Sequence, residues 1–187
     1  FVRTSDDSVT IYATRKEGRG DTQRIRVRNS TFWPDVAHAM FVGLHGDSNL
    51  VSDIEFNDID VLNLDEDDPE YQGAMAISAG DSNTVRNVAF RNIRVDHIEE
   101  GKLINVRVVY NSKYSFSPGQ AVDGVVFQNI TYAGRGWAGK SILGGYDIAR
   151  RVSNVVFDNV RIDGRKLSGP QDSGLEIEPF VDGVTFK

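Results

Sequence analysis

The chain has 187 residues, 40% of them apolar and 26% charged, with a formal net charge of −6. That length fits one domain or a piece of a larger one, and the acidic balance disfavours a broad nucleic-acid surface and gives no reason to expect a bilayer contact. No apolar run approaches the roughly 18 residues of a transmembrane helix, and the absence of cysteine excludes disulfides, thiolate metal sites and cysteine nucleophiles.

The chain opens at Phe1, with neither Met nor a signal peptide, and reads as a processed or truncated chain. A strand signal over 8–13 follows a polar cluster of Ser5, Asp6, Asp7 and Ser8. A longer signal at 22–29 holds Ile25, Val27 and Asn29, and a short one covers 40–44. Segment 51–59 then sets a pattern with Val51, Ile54, Phe56, Asp58 and Ile59. The pattern returns at Val85, Val88, Phe90, Asn92 and Ile93, and again at Val122, Val125, Phe127, Asn129 and Ile130. Val152, Val155, Phe157, Asn159 and Val160 repeat it, and Val181, Val184 and Phe186 form a truncated last copy. Short strand signals at 74–78, 103–110 and 141–143 alternate with these copies. The Asn/Asp position falls at 29, 58, 92, 129 and 159, in steps of 29, 34, 37 and 30 residues.

Alternation of apolar residues within each copy is the period of a strand, and helical periodicity is almost absent. Unequal repeats of this length, all strand, predict a right-handed parallel β-helix of about six coils. Residues 1–187 form one such domain, expected to be the C-terminal part of a larger catalytic domain. A β-sandwich is the rival, but Asp123-Gly124 and Asp182-Gly183 sit inside the repeated strand unit rather than between hairpin strands. Stacked coils place Asn29, Asn92, Asn129 and Asn159 in one column with Asp58, as a structural ladder at a bend. Asn29 and Asn129 also begin glycosylation sequons. A buried ladder would make them poor acceptors, so neither is expected to be modified.

Laid in register, the short strands bring Asp7, His38, Ala74, Lys102 and Lys140 to one side, in steps of 31, 36, 28 and 38 residues. An Asp pair, a His and two Lys then line one face of the solenoid.

Here the chain resembles the polygalacturonase-like clan of glycoside hydrolases, families 28 and 49. Residues 5–11 are similar to that clan's Asp-Asp strand, and residues 37–43 to its Gly-His-Gly strand, with Ala37 and Ala39 in place of both glycines. The resemblance implies inverting hydrolysis, in which one carboxylic acid protonates the leaving oxygen and another carboxylate activates water on the opposite face. It implies Asp6 as general acid, Asp7 in the water-activating pair, and His38 as the group that orients carboxylates or substrate. The clan's Arg-Ile-Lys clamp for galacturonate is replaced by Met75, Ala76 and Ile77, which favours a neutral glucan. The clan's further carboxylate lies upstream of its Asp pair, beyond the start of this chain. The partners implied are a polysaccharide or oligosaccharide and the remainder of the parent chain, with secretion, no cofactor, no nucleic acid and no membrane.

Residues 65–70 form an acidic insertion, read as a solvated loop that could border the cleft, with Tyr71 as a stacking platform. A calcium site there is conceivable from its carboxylates, but the spacing is not that of an EF-hand. Segment 110–120 is a second long loop. Tyr110, Tyr114 and Phe116, with Trp33 and Trp137, are candidates for sugar stacking, or they cap the sides of the solenoid. Tyr71, Lys102, Tyr110 and Tyr114 are the expected substrate-binding set. His45 and His97 have no partner in the column and read as surface or packing residues. Asp6 and Asp7 also fit a plain turn, since strict alternation with Val9 and Ile11 would point Asp7 inward. The alternative function is a non-catalytic carbohydrate-binding or adhesin β-helix. A polysaccharide lyase is a third reading, opposed by the missing basic clamp.

Overall fold

The computed structural model describes residues 1–13, 20–44, 50–69, 72–136, 138–172 and 174–187. Among these residues fifteen strands run in chain order. They are β1 (Val2–Thr4), β2 (Val9–Ile11), β3 (Thr22–Pro34), β4 (Met40–Gly43), β5 (Leu50–Val61), β6 (Met75–Ala79), β7 (Thr84–Ile98) and β8 (Ile104–Val108). There follow β9 (Ala121–Gly136), β10 (Ser141–Gly144), β11 (Val152–Ile162), β12 (Arg165–Lys166), β13 (Leu175–Ile177), β14 (Val181–Asp182) and β15 (Thr185–Phe186). They form two sheets. One has the order β1-β3-β5-β7-β9-β11-β12, with β14 and β15 also on β11; the other has β13-β10-β8-β6-β4-β2. Every pairing is parallel except β11 with β12. Alternating long and short strands therefore wind a parallel β-helix of about 5 turns, against the six coils expected. The last copy accounts for the difference, because β13 to β15 are fragments that never extend to a full long strand.

The repeated apolar pattern is explained by two left-handed corners in each long strand. In β5 these are Asp53 and Asp58, both at φ 58°; in β7 they are Asn87 and Asn92, at 52° and 53°. Gly124 and Asn129 take the same places in β9, and Asn154 and Asn159 in β11. A left-handed residue turns the chain and shifts the alternation by one, so Val51, Ile54, Phe56, Ile59 and Val61 all point inward and are fully buried. Asn, Asp and Gly tolerate this conformation best, which is why they recur there. Arg24, at φ 59°, occupies the first corner of β3 without that chemistry.

The core is a stack of identical columns. Phe56, Phe90, Phe127, Phe157 and Phe186 lie face over face, with centroids 5.2, 5.2, 5.4 and 5.3 Å apart. The expected Asn column exists as a hydrogen-bonded ladder. Asn159 Nδ2 donates to Asn129 Oδ1 and Asn129 Nδ2 to Asn92 Oδ1, each at 3.0 Å. Two features of it differ from expectation. Asn92 bonds Asn57 at 2.9 Å, while Asp58 accepts from Arg94. The column also lies at the surface, since a bend that points the Asn side chains at one another points them away from the core. Asn29 and Asn129 are exposed, so burial does not protect their sequons.

Candidate active site

The six-stranded sheet has an inner face, with Val9, Met40, Met75, Ile104 and Leu143, and an outer face carrying the next residue of each strand. The outer face is where the column of polar residues converges. The chain enters β2 through Asp7, and Ser8 N–H donates to His38 O at 2.9 Å. This fixes Asp7 beside His38, as the spacing of 31 residues implied. Met40 pairs with Met75, so the residue opposite His38 in the next coil is Gly73, not Ala74. Lys102 bridges to Gly139, not Lys140. Both registers were one residue off, and in both the residue opposite is a glycine entering the strand. At Gly73 a Cβ would stand 3.1 Å from the Asn105 Cβ and 3.2 Å from that of Ala76.

Asp7 and His38 are joined twice on this face. Asp7 Oδ1 accepts the His38 backbone N–H at 2.9 Å and lies 2.7 Å from His38 Nδ1. Asp7 Oδ2 accepts Thr10 Oγ1–H at 2.6 Å. Burial pushes the Asp7 carboxyl up, but the His38 ring, Thr10 and the His38 N–H outweigh it and hold the group below the ordinary aspartate value. The imidazole is 1% exposed and stacks on Phe41 at 4.3 Å, with the rings 9° apart. Asp7 is thus neither inside the core nor loose in a turn. The chain bends before Ser8 and lays it along the outer face.

Asp6 behaves differently. It is exposed, and its Oδ1 accepts the Asp7 N–H at 2.8 Å. The two carboxylates are divided, one engaged with His38 and one open to solvent.

A second carboxylate near the imidazole comes from the acidic insertion. Glu66 is 4% exposed, and its Oε2 lies 3.7 Å from His38 Nδ1. Its Oε1 accepts the Asp68 N–H at 3.0 Å. Burial raises its pKa, and the Asp68 N–H and the His38 charge offset this only in part. Reading 65–70 as wholly solvated therefore fails at Glu66. Asp65 pairs with Ala37 and Glu100, which anchors the insertion to the coils on both sides and turns the next side chain inward. The available signal was register: the insertion lies one coil beyond His38. Tyr71 and Glu70 lie outside the described residues, as do His45 and Trp137.

The other expected residues are spread along the face. Lys102 Nζ donates to Gln72 Oε1 at 2.6 Å, and burial, then Arg107, lowers its pKa. Tyr114 packs on Phe41, Leu44 and Ala76, so segment 110–118 arches over the outer face toward His38. That arch is tied by Phe116 N–H to Asp81 Oδ1 at 2.6 Å. Lys140 is exposed, and Phe116 projects from the arch. Tyr110 stands apart from His38, at the far end of β8, where it borders a pocket of about 210 Å³ with Leu44, Arg107, Asn111, Gly145 and Tyr146. His97 Nδ1 contacts Asn63 Oδ1 at 2.6 Å, a packing role. Trp33 lies under the Arg3 guanidinium.

Among the described residues no three His, Asp or Glu side chains converge as a metal site, and no helix is long and apolar enough to cross a membrane. Comparison with protein-family models, with curated proteins and with solved structures returned no match.

Proposed function

We propose that the chain carries the site of an inverting glycoside hydrolase acting on a neutral polysaccharide, as its resemblance to the polygalacturonase-like clan implies. The observation that supports this best is the Asp7–His38 pair on the outer face, with Asp6 open to solvent beside it. Asp7 is held ionised, as a water-activating carboxylate must be. Its Oδ1 is filled by two His38 donors, while Oδ2 carries only Thr10 and has a second lone pair for a water. Asp6, exposed beside Asp7, takes the role of proton donor to the leaving oxygen. His38 positions Asp7 through both its ring and its backbone. Lys102 is engaged with Gln72, which leaves it poorly placed to clamp a uronate and favours a neutral sugar. The reading includes secretion, as the resemblance to the clan implies.

The second reading is a non-catalytic carbohydrate-binding β-helix, favoured by the engagement of both Asp7 oxygens in holding the fold. New reducing ends separate the two. The protein and its Asp6→Asn variant are incubated with neutral glucans and with polygalacturonate. Cleavage of a neutral glucan that Asp6→Asn abolishes supports the hydrolase. Binding without cleavage moves the assignment to the binding module, and cleavage unchanged in Asp6→Asn removes Asp6 from the chemistry.

A further inference from the structure

His38 Nδ1 has two carboxylates beside it, Asp7 Oδ1 at 2.7 Å and Glu66 Oε2 at 3.7 Å. A ring nitrogen carries one proton at most, so it serves only one of them well. The shorter contact gives that proton to Asp7. Glu66 is left with an Oε1 that accepts the Asp68 N–H at 3.0 Å and an Oε2 that makes no hydrogen bond among the described residues. A carboxyl that is 4% exposed, with one oxygen unbonded, is a poor place for a charge.

The backbone builds this juxtaposition. Ala37, just before His38, sits at φ 74°, a left-handed conformation that is strained for alanine. Its N–H donates to Asp65 O at 2.7 Å, and the Glu66 N–H donates to Glu100 O at 3.0 Å. These bonds tie the chain at Glu66 both to the residue before His38 and to the next coil. The charged groups that face Glu66 among the described residues are His38, with Asp7 beyond it, Asp67 and Asp68 of its own segment, and Lys113 of the arch. Lys113 and Glu100 have exposed side chains, and Lys102 is turned to Gln72. Burial, then Asp67 and Asp68, favours the protonated form of Glu66, and the Asp68 N–H and His38 oppose it only in part. At Asp7 burial is outweighed by its bonds to His38 and Thr10, which favour the ionised form. Two carboxyls on one imidazole are thus pushed in opposite directions, the pattern by which acid and base roles divide.

We propose that Glu66 is a positioning residue that acts through His38. As a neutral acid it leaves the Nδ1 proton to Asp7, whose Oδ2 then faces water. As a carboxylate it repels Asp7 and competes for the same proton, and the Asp7–His38 pair loosens. The site is therefore assembled below the Glu66 midpoint and released above it. The catalytic consequence rests on the hydrolase reading above, whereas the coupling of Glu66 to the pair does not.

The test follows both groups in the intact chain from about pH 4 to about pH 9, the span over which carboxyl and imidazole groups titrate. Two-bond 1H–15N spectra read His38 Nδ1 through the carbon-bound ring protons, and 13C-labelled glutamate reads the Glu66 carboxyl. The Nδ1 shift takes a step at the Glu66 midpoint, and Glu66→Gln, which keeps the shape of the neutral acid, removes that step. In cleavage assays the ratio of kcat in Glu66→Gln to kcat in the parent stays within about twofold below the Glu66 midpoint. It rises to about tenfold one pH unit above, the slope of a single ionisation. Any alkaline loss caused by Asp6 cancels in that ratio, and thermal unfolding of both proteins exposes a folding defect directly. A Nδ1 step that survives in Glu66→Gln, or a Nδ1 shift that takes no step at the Glu66 midpoint, overturns the proposal. In a parent that cleaves, so does a kcat ratio that stays flat with pH. The expected Nδ1 step with no polysaccharide cleaved supports the coupling and refutes the hydrolase reading; cleavage without the step refutes the role of Glu66 alone.

Discussion

Replacing Asp7 by Ala removes the acceptor on which the His38 loop is hung. Three hydrogen bonds go at once, at 2.9, 2.7 and 2.6 Å. Two of the stranded donors belong to His38, which is buried, and each unsatisfied buried group costs about 1–3 kcal/mol. Thr10 is part-buried and recovers most of its loss from water. The expected destabilisation is about 3–5 kcal/mol, read by urea unfolding at neutral pH. Asp7→Asn keeps the shape but not the charge, and the lost charge-assisted bonds cost about 1.5–3 kcal/mol. The pH dependence supplies a second check. The Asp7 carboxyl is depressed in the folded chain, so its contribution is present above the ordinary value of 3.8 and is lost as pH falls through the lower folded value. The gap between parent and Asp7→Asn should therefore close in acid. A cost for Asp7→Ala within about 0.5 kcal/mol, the range of an ordinary surface substitution, would refute the account of Asp7 as the anchor of His38.

Glu66 carries the opposite sign. Its folded pKa is raised, so the fold favours its protonated form, and that advantage is lost as pH rises through the folded value. Glu66→Gln is expected to raise the thermal midpoint at neutral pH; a fall would show that Glu66 stabilises the fold as an ion. At the first corner of β3, Arg24→Asn puts a residue tolerant of φ 59° in the place that Asn87 and Asn154 fill in other coils. A gain of about 0.5–1 kcal/mol in urea unfolding is expected, and no gain would mean the corner conformation carries little strain.

The repeat was legible because each coil faces the same demand. A parallel solenoid buries equal positions in every turn, so Val51, Phe56 and Ile59 had to recur as Val85, Phe90 and Ile93, and the corner residues as Asn or Asp. The 31-residue step by itself places Asp7 beside His38. Short strands with little internal pattern left the neighbouring registers open by one residue, and only the pairing of Met40 with Met75 and the bridge of Lys102 to Gly139 closed them. Asn29 and Asn129 read as buried because a ladder suggests a core; the bend that makes the ladder puts it outside. Glu66 was hidden among four acidic neighbours, since composition says that such a run is solvated and cannot say which member turns inward. Local pattern determined the coil and its inward faces, because burial repeats with the strand. The outer face was decided by tertiary structure, because its neighbours come from loops whose lengths follow no repeat.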